Sequence, residues 1–385
     1  MLQNVILQPI TSVSRDMKFT YYVNPQTSGA EHDADIIETC IDQAVRATHA
    51  GFVGVGLTEH HFSEWNTYSS NLMMAAHLAG RCAPGTRFIH AAVIAPLHNP
   101  ISLAEHINLM DVLTKGNTIV GLATGGDAME FVGLGRNPDR KHEDFGAVLT
   151  ALKAAWSMKE GDAPLEWSTR FEAGTIYSRV MPSAYHREHP PLARMTISDK
   201  AAYDAGLVAE YIYMARLELA ELLKRLDIYR GAMAGAGFSK DVIEDRLEWS
   251  FCFRNVIVRD SDAEAHDEAI RRIQMLHEYG LRTSAKIPGG ALKAVIGPTG
   301  DPEEFVRKQF IIGSASSVKD QIDAYRSAGV RHLGMLFNLS LIHISDRRLQ
   351  RWQLFAREGA RGQATLAPPH AGVRRCRPAD RKACT

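Results

Sequence analysis

Thr58-Glu59-His60-His61-Phe62 follows directly on the apolar run Phe52–Leu57 (FVGVGL). A carboxylate and two imidazoles at the end of a strand suit proton chemistry, because imidazole titrates near neutrality. Neighbouring side chains at a strand end point different ways, so one histidine can face a cavity while the other packs or bonds to structure. Two structural histidines satisfied by their neighbours would give the same pattern. Zinc is the weaker alternative: Glu-His-His is not HExxH, and no third ligand stands at a recognised spacing.

Three further clusters sit at the ends of apolar runs. Ala91-Ala92 lies in Phe88–Ile94 (FIHAAVI), followed by Pro96, Asn99-Pro100 and Glu105. Small residues let a planar ring approach the backbone, although ordinary core packing explains them as well. Ala123-Thr124-Gly125-Gly126-Asp127 closes the run Thr118–Ala123. Glycines there expose N–H groups to a phosphate or a ring edge. The pattern is neither GxGxxG nor a Walker A loop, and a tight turn needing positive φ fits equally. Arg140 precedes a helical stretch, and Ser198 follows the run from Leu192. A guanidinium, a hydroxyl and helix N-terminal amides can hold a phosphate, but Ser198 reads just as well as a helix N-cap.

These clusters need a scaffold that repeats strand and helix. Apolar runs alternate with helical patterns about every 30 residues, which predicts parallel βαβ units. Strands are expected at Met17–Val23, Phe52–Leu57, Phe88–Ile94, Thr118–Ala123, Leu192–Ile197, Glu210–Met214, Trp249–Val258 and His332–Phe337. Helices are expected at Asp35–Ala50, Asn71–Cys82, Ser102–Leu113, Glu143–Trp156, from Lys200, and at Ala263–Tyr279, Val318–Ala328 and Arg348–Glu358. Residues 160–190 read as an excursion with short antiparallel strands. Residues 280–312 show no clear period. From about Gly359 the chain turns rich in Arg, Pro and Ala, and 359–385 reads as a disordered tail. A doubly wound open sheet would share this rhythm with an α/β barrel.

Composition narrows the function. Lys+Arg and Asp+Glu are both 44, so no net charge draws the chain to nucleic acid or an anionic membrane. Five cysteines without a CxxC favour a reduced cytoplasm over a disulfide framework. No run approaches the ~18 apolar residues of a membrane span, and the first 16 residues do not read as a signal peptide.

Taken together and in order, VGLTEHHFSEW, FIHAAVIAPLHNPISLAEHINLMDVLTKGNTIVGLATGG and GSASSVKDQIDAYRSAGVRHL resemble the luciferase-like flavin monooxygenases. The likeness runs from Met17 to Glu358 and is densest over Gly51–Gly135. It implies an α/β TIM (β/α)8 barrel over 17–358, with 1–16 as a lead and 280–312 as a mobile insertion near strand seven. It implies a two-component monooxygenase that uses reduced FMN from a flavin reductase, and O2, through a C4a-peroxyflavin, on a small organic substrate. A cytoplasmic homodimer is expected with it.

Matched residue by residue, His60 takes the place of the catalytic histidine, with Glu59 and His61 beside it. Ala91-Ala92 matches a dipeptide often joined by a cis bond under the isoalloxazine. Glu105 matches an acid near the flavin, Ala123, Thr124, Gly125 and Gly126 the loop under the flavin and its phosphate, and Arg140 and Ser198 phosphate contacts. Thr124 stands where the luciferase catalytic subunit has Arg, and His60 where the non-catalytic subunit has Asn. A deazaflavin (F420)-dependent oxidoreductase and a non-catalytic flavin-binding partner are the alternatives on the same barrel.

Overall fold

The computed structural model describes residues 17–27, 29–63, 66–215, 217–284 and 301–337. The expected lead at 1–16, the closing helix at 348–358 and the tail at 359–385 lie outside them, as does the 285–300 part of the expected insertion.

In chain order the elements are β1 (Lys18–Val23), α1 (Asp33–His49), β2 (Gly54–Leu57), α2 (Asn71–Ala79), β3 (Arg87–Ile94), α3 (Pro100–Leu113), β4 (Thr118–Ala123), α4 (Ala128–Gly133) and α5 (Lys141–Ser157). A hairpin of β5 (Leu165–Ser168) and β6 (Ala173–Ile176) follows. The second half comprises β7 (Leu192–Met195), α6 (Asp199–Gly206), β8 (Tyr211–Ala215), α7 (Leu219–Gly235), α8 (Lys240–Trp249), β9 (Phe251–Val258), α9 (Asp262–Ser284), α10 (Pro302–Gln309), β10 (Phe310–Gly313), α11 (Ala315–Ser327) and β11 (His332–Leu336).

Eight parallel strands close in the order β1-β2-β3-β4-β7-β8-β9-β11, with β11 returning to β1 through Lys18↔His332 to Tyr21↔Met335. Each expected barrel strand is present. Strands in such a barrel are covered on both faces, which is why they read as continuous apolar runs. The interior is filled by Tyr22, Ile89, Ala91, Ile119, Ala193, Tyr211, Tyr213, Phe251 and Leu336. Glycines make room for this aromatic layer: a Cβ on Gly334 would sit 2.8 Å from the Phe251 ring. The outer faces of the strands pack on the helix layer through clusters that include Leu57, Met74, Leu78 and Ile212, and Val93, Leu103, Ile107 and Leu152.

Local sequence sets the helix starts. Ser70, Asn99, Asp127, Ser198, Asp301 and Ser314 each accept a backbone N–H of the first turn, and Pro100 and Pro302 stand just inside the helix start, where a missing N–H costs little.

Two features depart from the sequence expectation. Residues 280–312, expected without a clear period, hold the last turn of α9 and, from Pro302, α10 and β10. β10 pairs in parallel with β9 through Phe310↔Asn255 to Gly313↔Val258, while β8 takes the other half of β9 through Tyr213↔Phe251 to Ala215↔Phe253. The buried Arg254 guanidinium donates to the carbonyls of Leu217, Lys308 (2.6 Å) and Phe310 (3.1 Å), filling the step between the two partners. In addition, α7 and α8 occupy a stretch between β8 and β9 to which the sequence reading assigns no element.

Candidate active site

The C-terminal end of β2 is fixed to that of β1. The Thr58 hydroxyl donates to Asn24 Oδ1 (2.9 Å), the Thr58 amide donates to the Tyr68 oxygen (3.0 Å), and the Tyr68 hydroxyl donates to the Val23 carbonyl (2.9 Å). Glu59 then turns inward and is 4% exposed. One of its oxygens meets His61 Nε2 at 2.9 Å and His98 Nε2 at 2.7 Å, and the other accepts the Ile94 amide at 3.0 Å. Burial works to raise the Glu59 pKa, but the hydrogen bonds from His61, His98 and Ile94 and the charge of His98 outweigh it and hold it down to about 2. Glu59 is therefore an anion that ties the ends of β2 and β3 together.

His60 faces the other way. Its Nδ1 lies 2.9 Å from Glu130 Oε1, and the same oxygen accepts the His61 amide at 2.9 Å. Glu130 is fully buried on α4, while the His60 side chain is 39% exposed. A carboxylate acceptor assigns the proton to Nδ1 and leaves Nε2 as the nitrogen open to exchange. The second Glu130 oxygen is buried without a partner among the described residues. Asp127 caps α4 through the Met129 amide, and burial, opposed by that bond and reinforced by Glu130, raises its pKa.

Beside this pair the Ala91–Ala92 peptide is cis. The Tyr22 hydroxyl donates to the Ala91 carbonyl (2.5 Å) and Asn71 Nδ2 to the Ala92 carbonyl (3.2 Å), so both carbonyls are occupied. Tyr22 stacks on Phe253 at 4.8 Å. A small-residue platform is thus held rigidly at the mouth of the barrel. At the end of β4, Gly125 adopts φ +77°, and a Cβ there would lie 2.8 Å from Ile94 and from the Phe131 ring. Its carbonyl accepts Lys141 Nζ at 3.1 Å.

The geometry gathers Glu59, His60, His61, Ala91, Ala92, Ala123, Thr124, Gly125 and Gly126 toward one end of the barrel, since Ala91 and Ala92 lie in the second half of β3 and the others at or just past the ends of the adjoining β2 and β4. Three expected residues are not gathered with them. Glu105 is exposed on α3, because that helix buries Leu103, Ala104, Ile107 and Asn108 and its period turns Glu105 outward. Arg140 is half exposed and lies 3.8 Å from Glu143; the next residue, Lys141, reaches the glycine loop instead. Ser198 caps α6 by accepting the Ala201 amide at 3.2 Å and is exposed.

Glu130, His98, Tyr22 and Lys141 are site residues that sequence reasoning did not single out. Glu130 was signalled: Asp127 and Glu130 stand at N-cap and N3 spacing, an acidic helix start directly after the glycine loop. Tyr22 and His98 act across 69 and 39 residues, beyond the reach of local patterns.

A barrel with a half-exposed imidazole backed by a carboxylate, beside a flat platform of small residues, can host a planar cofactor. The chain matches the family model described as luciferase-like monooxygenase over residues 17–332, and it belongs to that family. It is similar to the oxygenase component of a flavin-dependent trigonelline monooxygenase from Acinetobacter baylyi, 21% identical over 332 residues, covering 81% of this chain and 87% of that one. Its fold is similar to that of the monooxygenase RslO1 from Streptomyces bottropensis, with a TM-score of 0.71, 21% identity, and 89% and 98% of the two chains covered. It is also similar to the oxygenating constituent of 3,6-diketocamphane monooxygenase from Pseudomonas putida, solved with FMN, with a TM-score of 0.69, 20% identity, and 91% and 99% covered. An F420-dependent secondary alcohol dehydrogenase shares the fold at a TM-score of 0.61, 13% identity, and 84% and 94% covered.

Proposed function

We propose that this chain is the oxygenase component of a two-component system, which takes reduced FMN from a separate flavin reductase and uses O2 to oxygenate a small organic substrate. The observation that carries this reading is the His60–Glu130 pair beside the Ala91-Ala92 platform.

The residues present fit a flavin. The platform offers nothing larger than a methyl group and no free carbonyl. The Gly125 turn is a cradle that any side chain would fill. The amides of Gly125 and Gly126 have no acceptor among the described residues, so donors remain for a ring edge or a phosphate. Bound reduced flavin supplies the electrons that activate oxygen. The protein's own part is to hold, shield and move protons. Ala91 and Ala92 would support the ring. Phe62 and Ile197, exposed at the ends of β2 and β7, present apolar surface that keeps water from the reacting centre. His60 Nε2 exchanges the proton, and Glu130 fixes the ring so that this nitrogen stays available. Glu59, His61 and His98 brace the segment that carries His60.

No GxGxxG stands after a strand of this chain, which supports delivery of reduced flavin from outside rather than nicotinamide binding here. A cytoplasmic homodimer belongs to the same proposal; Leu109, Val112 and Leu113, exposed on α3, are surface for such a contact.

The test is rapid mixing of the anaerobic protein–reduced FMN complex with oxygenated buffer, followed by flavin absorbance. Reoxidation slower than that of free reduced FMN, accelerated by a turnover substrate, is expected. Reoxidation at the free rate together with tight deazaflavin binding would replace this reading with hydride transfer. FMN binding without any effect on reoxidation would make the chain a non-catalytic partner.

A further inference from the structure

The glycine loop after β4 carries no arginine, and the cations near it are not equivalent. Arg136 donates to Glu172 at 2.8 Å and lies 4.1 Å over the Phe171 ring. Arg140 pairs with Glu143 at the surface. Lys141, the first residue of α5, is partly buried, and its ammonium donates to the Gly125 carbonyl at 3.1 Å. Among the described residues no carboxylate lies within ion-pair distance of it. A carbonyl uses one of three ammonium donors and cancels none of the charge.

The strand order of the barrel shows which connection adjoins this loop. β4 and β7 pair as Val120↔Leu192, Gly121↔Ala193 and Leu122↔Arg194. The two strands end on the same side, so the loop after β4, which holds Gly125 and Gly126, adjoins the turn after β7 that leads through Ser198 into α6. The first-turn amides of a helix have no intrahelical acceptor. The acid in that turn, Asp199, is matched by Lys224 at 2.6 Å and Arg225 at 3.4 Å, so it does not spoil the site for an anion. Two unspent loop amides and an ammonium without a carboxylate partner among the described residues therefore share the end of β4, next to the strand end that leads into α6.

We propose that Lys141 is the cation that recognises the terminal phosphate of FMN in this chain, in the role that the resemblance gave to Arg140. This rests on the FMN reading above. Lys141 is a binding residue by this assignment and takes no part in the proton chemistry at His60. Through its bond to Gly125 it also brings the charge to the loop whose amides would share the same phosphate.

The test compares FMN with riboflavin, which lacks only the phosphate, by anaerobic titration of the full chain with each flavin, oxidised and reduced. For Lys141→Ala, FMN affinity is expected to fall about tenfold to a hundredfold, the range for losing a charge-assisted hydrogen bond, with riboflavin affinity within about twofold. Lys141→Arg should restore most of the loss, and added salt should shrink the FMN preference of the unaltered protein. Equal losses for the two flavins would overturn the assignment and leave Lys141 a prop for the Gly125 turn. No loss for either would overturn it as well. An unaltered protein that binds neither flavin would instead refute the cofactor reading on which the assignment stands.

Discussion

Glu59→Gln tests how the mouth of the barrel is held. Three donors converge on this carboxylate: His61 at 2.9 Å, His98 at 2.7 Å and the Ile94 amide at 3.0 Å. An amide of the same shape keeps one acceptor oxygen. Its NH2 group must then face either the Ile94 N–H or the two imidazoles, donor against donor. The fall of the Glu59 pKa from its ordinary 4.5 to about 2 gives the magnitude, about 3 kcal/mol at about 1.4 kcal/mol for each pH unit. That is a large part of the ~5–15 kcal/mol that holds a domain folded. The sign follows from the depressed value: the contribution is complete above about pH 4.5 and is lost as the pH falls through about 2. Urea unfolding of both proteins by tryptophan fluorescence at a series of pH values measures it. A gap of about 3 kcal/mol at pH 7 that narrows below pH 4.5 is expected. A gap below about 0.5 kcal/mol, or one that widens in acid, would refute the account of Glu59 as the tie between β2 and β3.

Other substitutions separate binding from chemistry. His60→Ala should keep FMN affinity within a few-fold while turnover drops about 10²–10⁴-fold, the usual worth of a positioned acid/base group; unchanged turnover in a coupled assay would remove His60 from the reaction. Gly125→Ala should weaken flavin binding and lower stability by about 1–3 kcal/mol, because both its φ and the 2.8 Å approach of Ile94 and Phe131 oppose a Cβ; a melting curve and a flavin titration read both effects. Burial lowers the pKa of His90 to about 4 and of His332 to about 3, against an ordinary 6.5. Stability is therefore expected to fall as the pH drops below about 6.5, a window above that of Glu59; a flat pH profile between 6.5 and 4.5 would contradict neutral burial of these two rings.

The barrel was legible because its strands are buried on both faces and each is a short apolar run between turn residues. β10 escaped because Phe310-Ile311-Ile312-Gly313 is only four residues long and follows a charged helical turn. α7 and α8 went unassigned even though Leu219, Leu222, Leu223 and Leu226 recur at helical spacing; the core they fill is formed with β8 and β9 and gives no sign in the local sequence. Within the site, Glu59-His60-His61 was readable as a strand end carrying proton-active groups. Which way His60 turns depends on Glu130, 70 residues away. Glu105 and Arg140 show where resemblance reaches its limit. On α3 successive positions diverge by about 100°, and that rotation puts Glu105 in solvent; Arg140 is the cap before α5, and the first residue of the helix, Lys141, is the one that reaches the loop.

The fastening around β10 bears on how such a chain can evolve. α9 and the α10–β10 unit share a cluster of Ile257, Ala265, Ala269, Ile273, Val306 and Phe310, and Arg254 pins the start of β10 to the barrel. The chain on either side of 285–300 is therefore already brought together by packing that does not depend on that segment. Lengthening a connection whose ends are fixed costs only about 0.6 kcal/mol per doubling. Changes in the length of that connection can accordingly accumulate at little cost to the barrel and to the strand end that carries His60.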